Sequence, residues 1–567
     1  MSLTPIATPA RRLALAACLL ATLAPLAARA EHAHRARHVV LISVDGLHQS
    51  DLDWFVATHP GSTLAALVAG GSSYTNARTP FPSDSFPGLV AQVTGGNPRT
   101  AGVYYDDSWN RALLPAGTTD CAHATPGTEV TYFEALDLDP LAIDAGYGVG
   151  PIDSAANIRA NIFKLPNQAR ELIDPKQLPV DAATCLSLYP HSYLKVNTVF
   201  EVAKRHGLHT AWSDKHAAYD IINGPSGAGV DDLFVPEINS NVPADLGPAG
   251  DDFTKDNVNT QFYDALKVEA VLRWAAGQNH DGSANAAGAP AIYGMNFQSV
   301  STAQKLNFSH VAGGDPSVRA LGGYAGGVPG PVLASALEFV DASLKRIKDA
   351  INPKDTAIVV SAKHGQSPLD RAELTLIDDG TVVAALDDAW AAAHPAATQA
   401  RVDFALDDDG MLMWLSDRSP AALKFAKEFL AGYTAYAIGS DASGALVVKS
   451  APSSGLRRIL AGREAREFIG VGAGDERVPD LIGIATVGTV YSSTSKIKKI
   501  AEHGGDAPGD RHVPIVVWGA GAGRGATHER TETTQIAPTI LALLGLDPDE
   551  LQAVEREGTE VLPGLRR

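Results

Sequence analysis

Four residues whose side chains can bind a metal or act as a nucleophile lie next to apolar segments: Asp45, Ser85, His364 and His503. Asp45 ends the run HVVLISVDG, whose β-branched residues predict a strand buried on both faces of a parallel sheet. Ser85 follows a Pro-rich loop and begins an apolar stretch with helical spacing. Its hydroxyl is therefore expected at a helix N-terminus, which favours phosphate. Carboxylate and imidazole groups bind divalent metals, and a bound metal lowers the pKa of a hydroxyl.

The elements around these residues predict that they meet. His364 follows Lys363 at the end of a second strand-like run, DTAIVVSAKHG. Parallel strands bring their carboxyl ends to one edge of a sheet, so Asp45 and His364 are expected to converge there. His503 lies in a Gly/Pro loop before a buried strand at 513–518. Each residue also has a structural interpretation: Asp45 could cap a loop, and one strand-end histidine is more often hydrogen-bonded structure than a ligand.

The rest of the chain alternates helical and strand-like patterns, which predicts an α/β protein with a mostly parallel sheet. Helices are expected at 196–207, 259–276 and 331–350, and a closing helix ends at Gly545. The strand-like runs at 208–216 and 291–299 end in polar residues that could face the same edge. These are Lys215 and His216, which are either substrate contacts or solvated loop charges, and Asn296, Gln298, Ser299 and Ser301.

Length and composition set the domain organisation. The chain has 567 residues, of which 45% are hydrophobic and 19% charged, as in a globular protein with a large core. Residues 113–195 show poor periodicity and are interpreted as an insertion that shapes or covers a pocket. Residues 374–474 are predicted to form a small α/β insertion domain. This leaves 31–373 and 475–567 as the core domain. Within the second of these segments, residues 480–493 are expected to form core strands.

The N-terminus has the pattern of a secretory signal peptide over residues 1–30. Two arginines precede an apolar run at 13–27, and a small-residue cleavage site ends at Ala30. Lipoprotein processing at Cys18 would leave an apolar run shorter than the usual ~7–15 residues. No later stretch reaches the ~18 uninterrupted apolar residues of a membrane span. The protein is therefore expected to be exported to the periplasm or the medium.

Export and charge restrict the chemistry further. Cleavage leaves Cys121 and Cys185, and an even pair in an oxidising compartment predicts a disulfide within the insertion, with two unpaired thiols as the alternative. The net charge of −18 argues against a nucleic-acid scaffold, because phosphate backbones need clustered Lys and Arg. A small phosphate ester remains compatible, since a metal or a few local cations can reverse the field in a pocket.

Taken in order, six motifs resemble the type I phosphodiesterase/nucleotide pyrophosphatase family of the alkaline phosphatase superfamily. They are SVDG, PSDSFPG, TGGNPRTAGV, KHG, EHGGD and TTQIAPTILALLGL. The resemblance implies an alkaline-phosphatase-like sheet with helices on both faces, and hydrolysis of phosphodiesters or nucleotide pyrophosphates with one or two divalent metal ions, expected to be zinc. It also assigns roles to individual residues. Ser85 would be the nucleophile, and the metal ligands would be Asp45, His364 and His503, with Gln298 and Asp506 as further candidates.

Three positions depart from the family pattern. Lys363 replaces the acid of the family's Asp-His-Gly motif, and residues 298–302, where the family has an acid and a histidine, carry neither. Gly88 replaces an Asn that contacts substrate phosphate in many members. Either a single metal remains at Asp45, His364 and Ser85, with Lys363 as charge stabiliser, or the protein binds a ligand without catalysis. A sulfate or phosphonate ester hydrolase is a further alternative, although the usual sulfatase motif is missing. The oligomeric state is left open.

Overall fold

The computed structural model describes residues 35–395, 401–441, 443–494, 497 and 499–566. The expected signal peptide lies outside these residues. Within them, no helix combines the length and the apolar character needed to cross a membrane.

A nine-stranded sheet forms the centre of the molecule. In chain order its strands are β1 (His38–Val44), β2 (Ser72–Arg78), β3 (Ala211–Ser213), β4 (Asp232–Phe234), β5 (Ile292–Phe297), β6 (Thr356–Ser361), β7 (His512–Gly519), β8 (Gly525–Thr527) and β9 (Thr531–Glu532). The spatial order is β8-β2-β7-β6-β1-β5-β3-β4, and β9 also pairs with β2. The strand β7 runs antiparallel to β2 and β6, whereas the other pairs are parallel. The predicted fold class is confirmed.

Strand β1 shows why the sheet forms from apolar runs. It lies between β6 and β5, with Ile42 beside Val360 and Met295. These three side chains are at most 1% exposed. Strands that are covered on both faces need continuous rather than alternating apolar sequence, which is the pattern in this part of the chain.

Helices cover both faces of the sheet. They are α1 (Gln49–Thr58), α2 (Thr63–Gly70), α3 (Ser85–Thr94), α4 (Val199–Arg205), α5 (Asn257–Ala275), α6 (Ser299–Lys305), α7 (Pro331–Ala350) and α8 (Ile536–Leu544), with shorter helices at Pro98–Ala101, Ala155–Asn161, Pro190–Tyr193, Pro508–Arg511 and Gln552–Glu557. Helices α2, α5, α6 and α7 pack in one layer, and α3, α4 and α8 in the other. Helix α7 has the predicted bounds, and α8 ends where Gly545 takes a positive φ of 73°, as glycine does at helix C-termini.

A smaller unit consists of two four-stranded sheets with helices at Asp379–Ala393, Pro420–Gly432 and Arg463–Ile469. One sheet holds Leu446–Ala451, Ala435–Ser440, Thr375–Ile377 and Thr489–Tyr491, and the other holds Val402–Asp407, Gly410–Leu415, Leu481–Ala485 and Leu456–Ala461. The expectation that 480–493 returns to the core sheet is wrong, because its two strands pair inside this unit. The small α/β unit therefore extends beyond the predicted end at residue 474.

The insertion at 113–195 contains short strands and turns. Leu113–Leu114 pairs with Val180–Asp181, and Asp107–Asn110 pairs with Thr128–Thr131 at its entrance. Cys121 and Cys185 form a disulfide, which confirms the predicted pairing. The insertion is thus closed on itself by a covalent bond across 64 residues.

Candidate active site

The sheet topology brings the predicted residues to one edge. Strands β1, β3, β5 and β6 are parallel, so the segments that follow them emerge together. Strand β7 runs the other way, so the loop before it, which carries His503, reaches the same edge. Strand β2 is antiparallel to β7 and hence delivers the loop to Ser85 there as well. Six chain segments, widely separated in sequence, therefore meet at the carboxyl edge.

Ser85 is the first residue of helix α3. The carboxylate of Asp84 caps this helix and accepts a hydrogen bond of 2.8 Å from the backbone N–H of Phe86. Ser85 is only 1% exposed. Its hydroxyl stands in the positive field of a helix N-terminus, where negative charge is stabilised.

The Ser85 Oγ atom has three polar neighbours. It lies 3.2 Å from Oδ2 of Asp45, 3.2 Å from Nε2 of His364 and 3.1 Å from Nζ of Lys215. The other ring nitrogen of His364, Nδ1, lies 3.0 Å from the carbonyl oxygen of Gly365 and donates to it. Burial lowers the pKa of His364, so the ring is held neutral. Its Nε2 lone pair is then directed at the serine hydroxyl and can accept the proton.

Asp45 is completely buried and surrounded by donors. Its Oδ2 accepts hydrogen bonds from Nε2 of Gln298 at 2.6 Å and from Nδ2 of Asn296 at 3.2 Å. The ammonium groups of Lys215 and Lys363 lie 3.7 and 3.9 Å from the same oxygen. Burial by itself would raise the pKa of Asp45, but the ammonium groups of Lys363 and Lys215 hold it well below its usual value. The carboxylate is therefore ionised and already neutralised by protein cations.

Lys363 has a partner that sequence reasoning did not assign to it. Its Nζ lies 3.0 Å from both carboxylate oxygens of Asp214 and 2.8 Å from the hydroxyl of Tyr219. Both charged side chains are 0% exposed. Asp214 follows β3 directly, as the polar end of the strand-like run at 208–216, and this position is the only sequence signal that pointed to it.

Gln298 is held in place from behind. The buried carboxylate of Asp264 accepts hydrogen bonds from the backbone N–H groups of Gln298 and Ser299 at the start of α6, and Lys267 pairs with Asp264 at 3.1 Å. The side-chain oxygen of Gln298 accepts a hydrogen bond of 3.4 Å from Lys215. Gln298 thus bridges Asp45 and Lys215.

His503 lies beside this centre, with its ring centroid 4.1 Å from that of His364. Burial and nearby positive charge lower its pKa well below the usual value. His503, Asp408 and Glu502 each offer a ligand atom, and these atoms lie within 4.8 Å of one another. Asp506, in contrast, pairs with Arg511 at 2.5 Å and is not part of this group.

The family resemblance implies bound metal ions, and the side chains at the site can be compared with the ligands that such ions need. Oδ1 of Asp45 has no hydrogen-bond partner among the described residues. Among those residues, however, Asp45 supplies the only carboxylate with a hydrogen bond to the Ser85 hydroxyl, and two ammonium groups lie within 4 Å of it. These residues do not fit the two-metal centre of the family, because the lysines already balance the charge that metal ions would balance. The neighbouring group of Asp408, Glu502 and His503 has the donor types that one ion accepts, although Lys305 and Lys499 already pair with Glu502 at 2.6 and 2.5 Å.

An unpartnered atom next to that group agrees with this fit. Oδ1 of Asp84 is buried without a hydrogen-bond partner among the described residues and lies 3.5 Å from Nδ1 of His503. Burial raises the pKa of Asp84 to about 7 and that of Asp408 to about 8. Sequence reasoning missed Asp408, since it enters the site from the small α/β unit.

Comparison with known proteins finds a family whose model matches the first part of the site. The family model described as type I phosphodiesterase / nucleotide pyrophosphatase matches residues 39–126. That segment contains Asp45 and Ser85. The resemblance inferred from the sequence motifs is confirmed over this segment.

Solved structures agree on the fold. The alkaline phosphatase PafA is 12% identical, with a TM-score of 0.55, and the alignment covers 90% of this chain and 96% of that one. An inactive variant of murine ectonucleotide pyrophosphatase/phosphodiesterase 5, in complex with AMP, is 11% identical with a TM-score of 0.51 and the same coverage. No curated protein sequence matches the chain. At this identity the two structures establish an alkaline-phosphatase-like fold.

Proposed function

We propose that this protein hydrolyses phosphate esters, with phosphodiesters or nucleotide pyrophosphates as the preferred class and Ser85 as the nucleophile. The observation that carries the proposal is the contact between Ser85 Oγ and Nε2 of a neutral, buried His364, 3.2 Å away at a helix N-terminus. A nucleophile, a base and a site for negative charge are the parts that phosphoryl transfer needs.

The chemistry follows from the side chains. As the Ser85 oxygen forms a bond to phosphorus, its proton passes to Nε2 of His364, and the ester oxygen leaves and takes a proton from water. Protonation of the leaving group by water leaves a hydroxide ion. Hydroxide then attacks the phosphoseryl group, the bond from phosphorus to the Ser85 oxygen breaks, and that oxygen recovers its proton from His364. The ammonium groups of Lys215 and Lys363 stabilise the charge on the non-bridging oxygens, as positioned cations do in phosphoryl transfer.

We also propose a bound zinc ion, at a group of residues next to Ser85 rather than at Asp45. Asp408, Glu502 and His503 would hold one ion, and a bound metal there would supply additional positive charge beside the phosphoryl group. The lysine ammonium groups already supply positive charge at Ser85, so the proposed proton transfer does not depend on the ion.

The experiment compares turnover of an aryl phosphodiester by the wild-type protein, Ser85→Ala and the control Ser226→Ala, which changes an exposed serine. Ser85→Ala should lose at least about 10³-fold in kcat/KM, because the nucleophile is removed. The control should keep wild-type activity. Equal activity of wild-type protein and Ser85→Ala would contradict the proposed mechanism.

A substrate panel addresses the alternative functions. Aryl phosphomonoester, sulfate and phosphonate esters are assayed in parallel with the diester. A non-catalytic ligand-binding protein has one observation in its favour, which is that Ser85 is only 1% exposed and lies behind the Lys215 side chain. Binding of inorganic phosphate without turnover of any ester would favour that alternative.

We also propose export, as the N-terminal sequence predicts. The Cys121–Cys185 disulfide supports an oxidising compartment, because such bonds rarely persist in the reducing cytosol. N-terminal sequencing of protein recovered outside the cytoplasm should begin near Glu31. An intact N-terminus on all of the folded protein would contradict this.

A further inference from the structure

A second cluster of ionisable side chains lies where the insertion meets the core segments that follow Lys215 and β4. Glu134, His216 and Glu237 each offer a ligand atom, and these atoms lie within 4.8 Å of one another. His216 and Glu237 are 5% and 0% exposed, and Nδ1 of His216 lies 2.9 Å from both oxygens of Glu237. None of these side chains contacts Ser85 in the part of the chain that the structure describes.

A third carboxylate adjoins this cluster. Asp137 is 3% exposed, and neither of its carboxylate oxygens has a hydrogen-bond partner among the described residues. The carboxyl group of Asp137 adjoins that of Glu237. Two buried carboxylates so close together need either a retained proton or a bound cation to offset their charge.

The local charges favour a cation with two charges. A neutral imidazole at His216 has a lone pair to offer a metal ion. Lys215 is a nearby cation that acts on Glu237. A divalent ion would offset most of the negative charge on the three carboxylates of Glu134, Asp137 and Glu237.

We propose that Glu134, Asp137, His216 and Glu237 form a binding site for one first-row divalent transition-metal ion, Zn²⁺ or Mn²⁺. Imidazole together with several carboxylates is the donor set that these ions accept, whereas Ca²⁺ prefers oxygen ligands alone. Four protein ligands are also the number that a closed structural zinc site uses. This proposal is independent of the hydrolase activity.

The position of the site indicates its role. Glu134 and Asp137 belong to the insertion, His216 follows Lys215 directly, and Glu237 lies in the loop after β4. Backbone hydrogen bonds already link these segments: the N–H of Ile238 donates to the carbonyl of Lys215 at 3.2 Å. A bound ion would therefore fasten the insertion to the core and fix the backbone that carries Lys215.

The test uses full-length mature protein stripped with EDTA and titrated with Zn²⁺ or Mn²⁺, with calorimetry, elemental analysis and the thermal midpoint as readouts. All variants carry His503→Gln, which removes the other group of candidate ligands. The isosteric changes Asp137→Asn and Glu237→Gln should each weaken metal binding at least about tenfold and reduce the rise in Tm on metal addition. The matched control Asp139→Asn removes the same charge from the same insertion and should bind like its parent.

Two results would overturn the proposal. One is that the parent protein binds neither ion, and the other is that Asp137→Asn and Glu237→Gln bind as tightly as the control. If a buried variant does not fold, Glu134→Gln replaces it, because Glu134 is half-buried and its loss leaves the core packed. Unchanged affinity in that variant would count against the site in the same way.

Discussion

The Nζ atom of Lys215 lies 3.1 Å from the Oγ atom of Ser85, although the two residues are 130 positions apart in the chain. Lys215 is 15% exposed, whereas the serine is almost completely buried. The lysine is thus the member of the pair that solvent reaches, and a substrate phosphate must meet its ammonium group before it meets the serine. Of the two interpretations that the sequence left open for Lys215, this contact favours the substrate contact.

Replacing Lys215 should therefore reduce activity. Lys215→Met removes the charge and should lower kcat/KM for an aryl phosphodiester by about 10²-fold, the size of effect seen when one positioned donor is lost. Lys215→Arg keeps the charge and should recover part of the loss. The exposed Lys345 on α7 provides the control Lys345→Met, which should behave as wild type. Wild-type activity of Lys215→Met would show that the ammonium plays no part.

Lys363 should matter for stability as well as for charge. Lys363→Met leaves the carboxylate of Asp214 buried without its cation, and breaking a buried ion pair in this way costs about 3–5 kcal/mol. The double variant Lys363→Met, Asp214→Asn removes both charges and should recover most of the loss. Urea unfolding of the two single variants and the double variant measures this coupling. A double variant that is as unstable as the two losses added together would refute it.

The sequence predicted those parts of the site whose position follows from a single strand or helix and one general packing rule. A buried strand followed by Asp45, and another followed by His364, predict convergence because the ends of parallel strands share an edge. The distances of 3.2 Å from Ser85 to each of them agree with that expectation. Likewise, the capped start of α3 was visible as a Pro-rich loop that leads into an apolar helical pattern.

The remaining parts depend on contacts between distant segments, which local patterns do not encode. Nothing near Lys363 in the sequence identifies Asp214 as its partner, because the two meet through strand order alone. The apolar strand Leu481–Ala485 has the same pattern whether it joins the core sheet or the smaller one. Its assignment to the core was therefore wrong, and Asp408, which reaches the site from that smaller unit, was missed for the same reason.

Gly88 should tolerate no side chain. A Cβ atom at this position of α3 would lie 2.2 Å from the backbone carbonyl oxygen of Lys363, so the close approach explains why the family's Asn is absent. Gly88→Ala should destabilise the protein by about 1–3 kcal/mol through overpacking and lower kcat/KM by shifting Lys363. The control is Gly432→Ala, at the end of another helix, where no atom lies within 4 Å of the added carbon. Unfolding in urea measures both, and equal stabilities would contradict the predicted clash.

Asp107 should make the stability of the folded protein depend on pH, separately from any effect of pH on activity. Burial and the adjacent Glu129 raise the pKa of Asp107 to about 10. The ordinary pKa of an aspartate is near 3.8. Between that pH and about pH 10, Asp107 therefore keeps its proton in the folded protein but loses it in the unfolded chain. Stability from this group is complete below the unfolded pKa and falls as the pH rises, because the folded state binds more protons.

Asp107→Asn should remove this dependence, because an amide stays neutral at every pH. From about pH 6 to about pH 8 the free energy of unfolding of the wild-type protein should fall relative to the variant, by at most about 1.4 kcal/mol per pH unit. Urea titrations at the two pH values measure the difference. Asp120→Asn, an exposed change in the same region, should follow the wild type. Parallel curves for wild type and Asp107→Asn would mean that Asp107 is ionised in the folded protein.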